Sequence, residues 1–525
     1  MPSTPPSESN SRKPEWKLAL VVFGVAAVAL WWLAANRFLL SLDEGIYLAG
    51  AERVLSGQVP YRDFFVLTGP GSFWIHAAIL KLLGSTLAHA RLPMVVDLAL
   101  LSGAVYWLTA RLSGRRLALG VTFFFFALET RPLFRLYENH RWDSSAFAML
   151  AVALMFWGTE QPRFFSFLAA GFLAALAAWI TPSILALVLV LGIWLLLNKE
   201  LGNQWLPYIL GVGLCSLAAA GVLFFQGALG PMRHDMLWAS THYSAANRVP
   251  YGYGAIAPGG LMAVYAGASL PQALTRTTGL IAVLLPPLLP LGAYFAWLVR
   301  RWRNVEFDQQ EKLATLLVIA SFGLVLSTYP RWSADQFLFV TPIFYVLAAY
   351  LLDRFLKARV LRAVALAGIL GLGAASLTYS VLHVRSEPAL ETRVGRVRAA
   401  PADQAFIKFA TRTIHPGDTL FVYPYLPIVY FLTGARNPTR YSFLQPGMMD
   451  AQNDAEALED LRAHPPQWVF YFAFPPVTYH GIWPGADPRA LRETSLDRYI
   501  RAHYRPVDAL QHPVAEFFIL KRDEP

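Results

Sequence analysis

The chain is nearly without cysteine and poor in charge. Its one cysteine, Cys215, sits inside a hydrophobic run, which excludes an intrachain disulfide framework and a cysteine-based metal cluster. A small packed side chain is the simplest role for it. Charged residues make up 15% of the 525, hydrophobic ones 56%, and the mean hydropathy is +0.42. That balance excludes an ordinary soluble globule. The sequence also lacks an internal repeat and lacks charges in the middle of its apolar runs. Carriers with inverted repeats keep polar residues near the bilayer midplane, and nothing here follows that pattern.

What is present is a series of apolar runs separated by short charged loops. A span needs roughly 20 apolar residues, and about eleven runs qualify. They are Leu18–Ala35, Pro93–Leu112, Leu117–Leu128, Ser144–Trp157, Phe164–Ile180, Ile184–Leu197, Leu206–Phe225, Thr277–Val299, Leu313–Ser327, Phe337–Leu352 and Ala363–His383. Leu117–Leu128 and Ser144–Trp157 are short for spans, so the segment between them must dip toward the bilayer or lie on its surface. The first run carries Trp31, Trp32 and Asn36 near its end and has no clean cleavage site, so it reads as a retained anchor. Residues 1–15 are Pro/Ser-rich and read as a disordered cytoplasmic tail.

The net charge of +10 does not point to nucleic acid. Basic residues of a membrane protein collect in its cytoplasmic loops. With the N-terminus inside, every predicted inner loop is basic, from Arg111, Arg115 and Arg116 to Arg354, Lys357, Arg359 and Arg362. Two long loops, 39–91 and 227–276, then face outward with the tail after Val384. The fold expected is a polytopic α-helical membrane domain over 16–383 and a soluble α/β domain over 384–525. In the tail, the stretches from Thr419, from Gln467 and from Val514 read as strands, and those from Asp454 and Leu491 as helices.

Most remaining charges map to the outer end. The loop SLDEGIYLAGAERVLSGQVPYRDFFVLTGPG begins at Ser41, just past the first span. It places two adjacent carboxylates, Asp43 and Glu44, where charge is expensive. It reads as two amphipathic helices, Glu44–Leu55 and Ser72–Leu83, around a Gly/Pro-rich turn. Adjacent residues on a helix point about 100° apart, so the two carboxylates do not share one role. Asp43 is the candidate base, and Glu44 a neighbour that orients a loop, binds acceptor or helps hold a metal. The structural alternative is that both cap the helix beginning at Gly45. Arg62 and Asp63 follow in the same loop.

The segment YENHRWDSS brings Glu138, His140, Arg141 and Asp143 close in sequence. Glu138, His140 and Asp143 could bind a metal, or His140 and Arg141 a phosphate; a solvated turn with Asp143 as helix cap is equally compatible. YPRWSADQ sets Arg331 beside Asp335, as a phosphate ligand or as a structural pair. The His-, Tyr- and Gly-rich loop from Pro231 suits a mobile lid or an interfacial aromatic belt. A one-sided polar rim fits a substrate with its tail in lipid and its head outside. Such a site needs a base for an acceptor hydroxyl and cations for a leaving phosphate.

These residues resemble a known family. A carboxylate-bearing loop after the first span, then YRDFF-x-x-TGPGSFWIHA, is similar to the GT-C membrane glycosyltransferases of the protein O-mannosyltransferase and aminoarabinose-transferase type, including the galacturonosyltransferase-like members. The PRWSAD loop and the tail segment from Phe421 extend the likeness over most of the chain. The resemblance implies inverting transfer of a sugar from a polyprenyl-phosphate donor to a lipid, glycan or protein hydroxyl. It implies the outer face of a bacterial cytoplasmic membrane and a role for Asp43 as the catalytic carboxylate. Two departures matter. Aminoarabinose transferases carry a Lys before the Pro/Gly turn, where this chain has Thr68, so Arg62, Arg141 and Arg331 are substitute phosphate ligands. Gln336 stands where a His often follows the Asp of the later loop. A divalent metal, Mg²⁺ or Mn²⁺, is compatible with the carboxylates, though no ligand set is diagnostic. Two other classes fit the composition: a lipid-linked saccharide flippase, which would need a polar path through the bilayer, and a non-catalytic envelope assembly partner.

Overall fold

The computed structural model describes residues 15–130, 136–251, 309–448 and 451–523, with parts of 265–299. The chain is mostly helical. In order come α1 (Trp16–Ala34), α2 (Glu44–Leu55), α3 (Gly71–Leu83), α4 (Leu87–Ala90), α5 (Leu92–Ser113), α6 (Arg115–Glu129), α7 (His140–Glu160), α8 (Phe164–Ile180), α9 (Leu185–Leu197), α10 (Trp205–Phe225) and α11 (Leu229–Trp238). Helices Gln309–Leu326, Pro342–Phe355 and Arg359–Ser386 follow. Of these, α1, α5, α10 and Arg359–Ser386 are long and apolar enough to cross a membrane. The expected span Thr277–Val299 lies mostly outside the described residues. Phe337–Leu352, expected as one helix, is interrupted at 339–341, where Pro342 starts a new helix rather than continuing the old one.

The outward faces of these helices argue for lipid. On α10, Pro207, Gly211 and Cys215 are buried while Leu206, Leu210, Leu214 and Leu217 are exposed. The inward residues recur every fourth position, and the outward side is as apolar as a core. Small residues let the helices approach closely. A Cβ on Gly171 would lie 2.0 Å from the carbonyl oxygen of Tyr208, and one on Gly211 would lie 2.0 Å from that of Leu168.

The tail contains a hairpin, β1 (Ala389–Thr392) with β2 (Gly395–Arg398), and a four-stranded sheet. The sheet is built from β3 (Leu420–Tyr423), β4 (Trp468–Ala473), β5 (Tyr504–Gln511) and β6 (Glu516–Arg522) in the order β3-β4-β6-β5. β3 and β4 are parallel, and the other pairs antiparallel. Helices Pro401–Thr413, Ala451–Ala463 and Ser495–His503 accompany it. The apolar side chains of this tail form one core with those of the loop segment 39–91, including Tyr47, Phe64 and Phe73. The bundle helices form a second core.

Two glycines bring these parts together. A Cβ on Gly45 would lie 1.9 Å from the backbone nitrogen of Ile428, so only glycine lets the tail reach the start of α2. A Cβ on Gly69 would lie 1.8 Å from the Trp179 carbonyl oxygen, and the Gly69 N–H donates to the Ile180 carbonyl at 2.9 Å. The TGPG turn is thereby seated on the end of α8.

A buried ion pair closes the junction. The Arg91 guanidinium donates to both Glu44 oxygens, at 2.6 and 2.8 Å, and neither side chain is exposed. Arg91 also donates to the carbonyls of Ala34 and Arg37, at the end of α1. Glu44 Oε1 accepts the backbone N–H of Glu138, just before α7. One pair therefore holds four chain segments. Removing only the cation would strand a buried carboxylate, at a cost of about 3–5 kcal/mol. Arg91→Met is expected to lower the thermal unfolding temperature of the purified protein by many degrees; an unchanged midpoint would refute this role.

Candidate active site

The two adjacent carboxylates face opposite environments. Glu44 is fully buried in its pair with Arg91, whereas Asp43 is only half-buried. Asp43 occupies the cap position of α2 but makes no side-chain capping bond. Its Oδ1 instead accepts a hydrogen bond of 2.7 Å from the Tyr425 hydroxyl. The alternative in which both carboxylates cap the helix is met in position, with Asp43 at the cap and Glu44 in the first turn, but Asp43 makes no capping hydrogen bond. The helical turn separates them: one looks outward to the tail, the other inward to the bundle.

Around Asp43 the structure gathers groups from four parts of the chain. Tyr47 lies one turn along α2 and meets His140 Nδ1 at 2.5 Å, with the rings stacked 5.0 Å apart. Thr68, from the TGPG turn, and Arg141, from the first turn of α7, lie beside Tyr47. Tyr243, just after α11, comes near both Tyr47 and Tyr425. Burial, reinforced by the Asp43 carboxylate, pushes the Tyr47 and Tyr425 hydroxyls well above the usual tyrosine range. Both stay protonated near neutrality, so Tyr425 acts as the donor that orients Asp43.

The YENHRWDSS segment behaves differently from its expected turn. Asn139, not Asp143, caps α7, its side chain accepting the Arg141 N–H at 3.0 Å. His140, Arg141 and Asp143 consequently sit in the first helical turn and diverge. His140 turns to Tyr47, which removes it from the expected grouping with Glu138 and Asp143. Asp143 points inward, where it accepts a hydrogen bond from Ser72 and joins Glu138 and His76.

The other expected residues are elsewhere. Arg62 pairs with its neighbour Asp63 at 2.8 Å, on the surface, and donates to the Gln226 carbonyl. Arg331 donates to Asn247 at 3.1 Å and to the Ile482 carbonyl at 2.9 Å. That carbonyl is next to Trp483, whose ring packs edge-on against Tyr425. The Asp335 side chain lies outside the described residues. Tyr47, Tyr243 and Tyr425 were not singled out in the sequence. Tyr47 had a signal, its four-residue spacing from Asp43; Tyr425 had none, being 382 residues away.

No family model and no curated protein sequence matches the chain. Solved structures do. The crystal structure of ArnT from Cupriavidus metallidurans bound to undecaprenyl phosphate aligns with a TM-score of 0.55 at 15% identity, covering 95% of this chain and 97% of that one. The apo ArnT crystal structure from the same organism aligns at 0.57 and 14%, covering 96% and 98%. The chain shares the fold of these ArnT structures, and among the described residues four helices are long and apolar enough to cross a membrane.

The Tyr425–Asp43 contact is testable by a double-mutant cycle. Tyr425→Phe removes a hydrogen bond to a charged group, worth about 1.5–3 kcal/mol. Combined with Asp43→Asn in denaturation measurements, it should give a coupling of about 0.5–3 kcal/mol. Strict additivity would contradict the contact.

Proposed function

We propose that the protein is an inverting glycosyltransferase acting at the outer face of the cytoplasmic membrane. It moves a sugar from a polyprenyl-phosphate donor to a hydroxyl acceptor. The observation that carries this reading is the division of labour at Asp43–Glu44. One carboxylate is half-exposed and oriented by Tyr425, while its neighbour is consumed by structure. The ArnT-like fold supports the class of reaction, and the ArnT crystal structure bound to undecaprenyl phosphate supports the class of donor.

In this reading Asp43 takes the proton of the acceptor hydroxyl. The acceptor oxygen forms a bond to the anomeric carbon as the bond from that carbon to the phosphate oxygen breaks, and the polyprenyl phosphate leaves with its electron pair. Arg141 is the cation best situated to meet that phosphate. It stands beside Tyr47, as does Thr68, the position where the related transferases have a Lys, so charge lost from the loop is supplied from α7. The Arg62–Asp63 pair is satisfied by its own partners and is left out of the phosphate site. The setting is a bacterial cytoplasmic membrane, with the site facing outward.

The test compares envelope glycolipids by mass spectrometry in cells lacking the protein and in cells carrying the wild type or a variant. Removing a general base costs typically 10²–10⁴-fold in rate. Asp43→Asn should abolish the sugar-modified species while the protein still inserts and accumulates. With purified protein, Arg141→Gln should raise the donor KM about 10–150-fold, as loss of a charged contact of roughly 1.5–3 kcal/mol requires. Full activity of Asp43→Asn would overturn the assignment.

A further inference from the structure

A second polar cluster lies behind the site, and the proposed transfer does not use it. His76 on α3, Glu138 before α7 and Asp143 on α7 bring a nitrogen and two carboxylate oxygens within 4.8 Å of one another, all three residues buried. His76 Nε2 is 3.3 Å from Glu138 Oε1. Two ligands of one ion, each about 2.1 Å from it in tetrahedral arrangement, would be about 3.4 Å apart. Asp97, on α5, lies against Asp143 and Glu138 and is 5% exposed. Its Oδ2 is buried without a hydrogen-bond partner, and so is His76 Nε2. Asp97 Oδ2 thus lacks a partner beside this cluster, and His76 Nε2 has only the Glu138 carboxylate facing it.

The surroundings prepare these groups as ligands. His76 Nδ1 is 2.7 Å from the Ser72 carbonyl oxygen, so it carries the proton and donates there. That fixes the ring and turns Nε2 toward the carboxylates, the usual second-shell arrangement of a metal-binding histidine. The Ser72 hydroxyl donates to Asp143 Oδ2, so a single residue braces two of the candidate ligands. The backbone N–H groups of Met94 and Asn139 donate to the two Glu138 oxygens. Glu44, the next carboxylate, is already matched by Arg91. Three buried carboxylates then face one imidazole, which could offset only one of them. Buried charge without compensation is costly, so a further positive charge is required.

We infer that His76, Asp97, Glu138 and Asp143 bind one divalent metal ion, of the Zn²⁺ or Mn²⁺ type. One imidazole among carboxylates suits such borderline cations. The ion joins α3, α5 and α7 beneath Asp43 and serves the architecture of the site. The alternative occupant is protons shared among the carboxylates.

Metal analysis of the full-length protein, purified in detergent without chelator, separates the two. About one ion per chain should survive desalting. After chelator treatment the unfolding temperature should fall, and added Zn²⁺ or Mn²⁺ should restore it with measurable binding heat. His76→Gln and Asp143→Asn should each weaken binding at least about tenfold, judged against the 10–100-fold that even supporting residues contribute. Asp43→Asn should bind metal as the wild type does, so loss of transfer and loss of metal are separate outcomes. Should a ligand variant fail to fold, stripping and reloading the wild type still decides. A wild-type protein without bound metal, with no binding heat and no shift in unfolding temperature, would overturn the inference in favour of protons.

Discussion

The buried pair of Glu44 with Arg91 is the constraint on which the rest of the molecule depends. An ion pair with no exposed atoms gains little net stability, but it tolerates no loosening, because each partner alone would be stranded. Its remaining hydrogen bonds reach the end of α1 and the backbone before α7. The loop segment 39–91 is thus fixed to the bundle through its buried side. A second buried fork, Arg37 with Glu387, ties the end of α1 to the beginning of the tail. The position of Asp43 follows from these anchors. It is the residue before a locked glutamate, and the close approach at Gly45 brings the tail, with Tyr425, over it.

The site is consequently made of parts that are remote in sequence and rigid in different ways. The loop is held by charge, the TGPG turn by its seat on α8, and the tail by a core shared with the loop. This arrangement makes the tail after Val384 more than an appendage, since its Tyr425 supplies the donor to Asp43. The bundle helices carry apolar faces outward, and the buried charges Glu44, Arg91, Glu138 and Asp143 lie where the loop meets α5 and α7, while pairs such as Arg111–Glu160, Arg115–Glu15 and Arg354–Glu311 lie elsewhere on the bundle.

Much of this was legible in the sequence, but unevenly. Apolar runs gave the helices, because hydrophobicity and length are local properties. The loop motif gave Asp43 and its separation from Glu44, because 100° per residue is also local. The buried strands from Leu420 and Trp468 could be read from their continuous apolar runs, whereas β5, with alternating exposed residues, the β1–β2 hairpin and the helix Pro401–Thr413 were not recognised. Pairings across long separations were not legible. Nothing near Arg91 announces Glu44, and nothing near His76 announces Glu138 or Asp143. The grouping of His140 with those carboxylates failed for one physical reason. A cap at Asn139 winds the segment into α7, so residues close in sequence point in different directions.

The central claim is that a phosphate-bearing lipid meets the chain at Asp43 and Arg141, with Glu44 kept out of contact. A cryo-electron microscopy structure of the protein in lipid nanodiscs with undecaprenyl phosphate added tests it directly. The account predicts phosphate density against the Arg141 guanidinium, beside Asp43 and Tyr425, with the Glu44–Arg91 pair intact. Phosphate seated at the Arg62–Asp63 surface pair, or bound by an Arg91 released from Glu44, would contradict it.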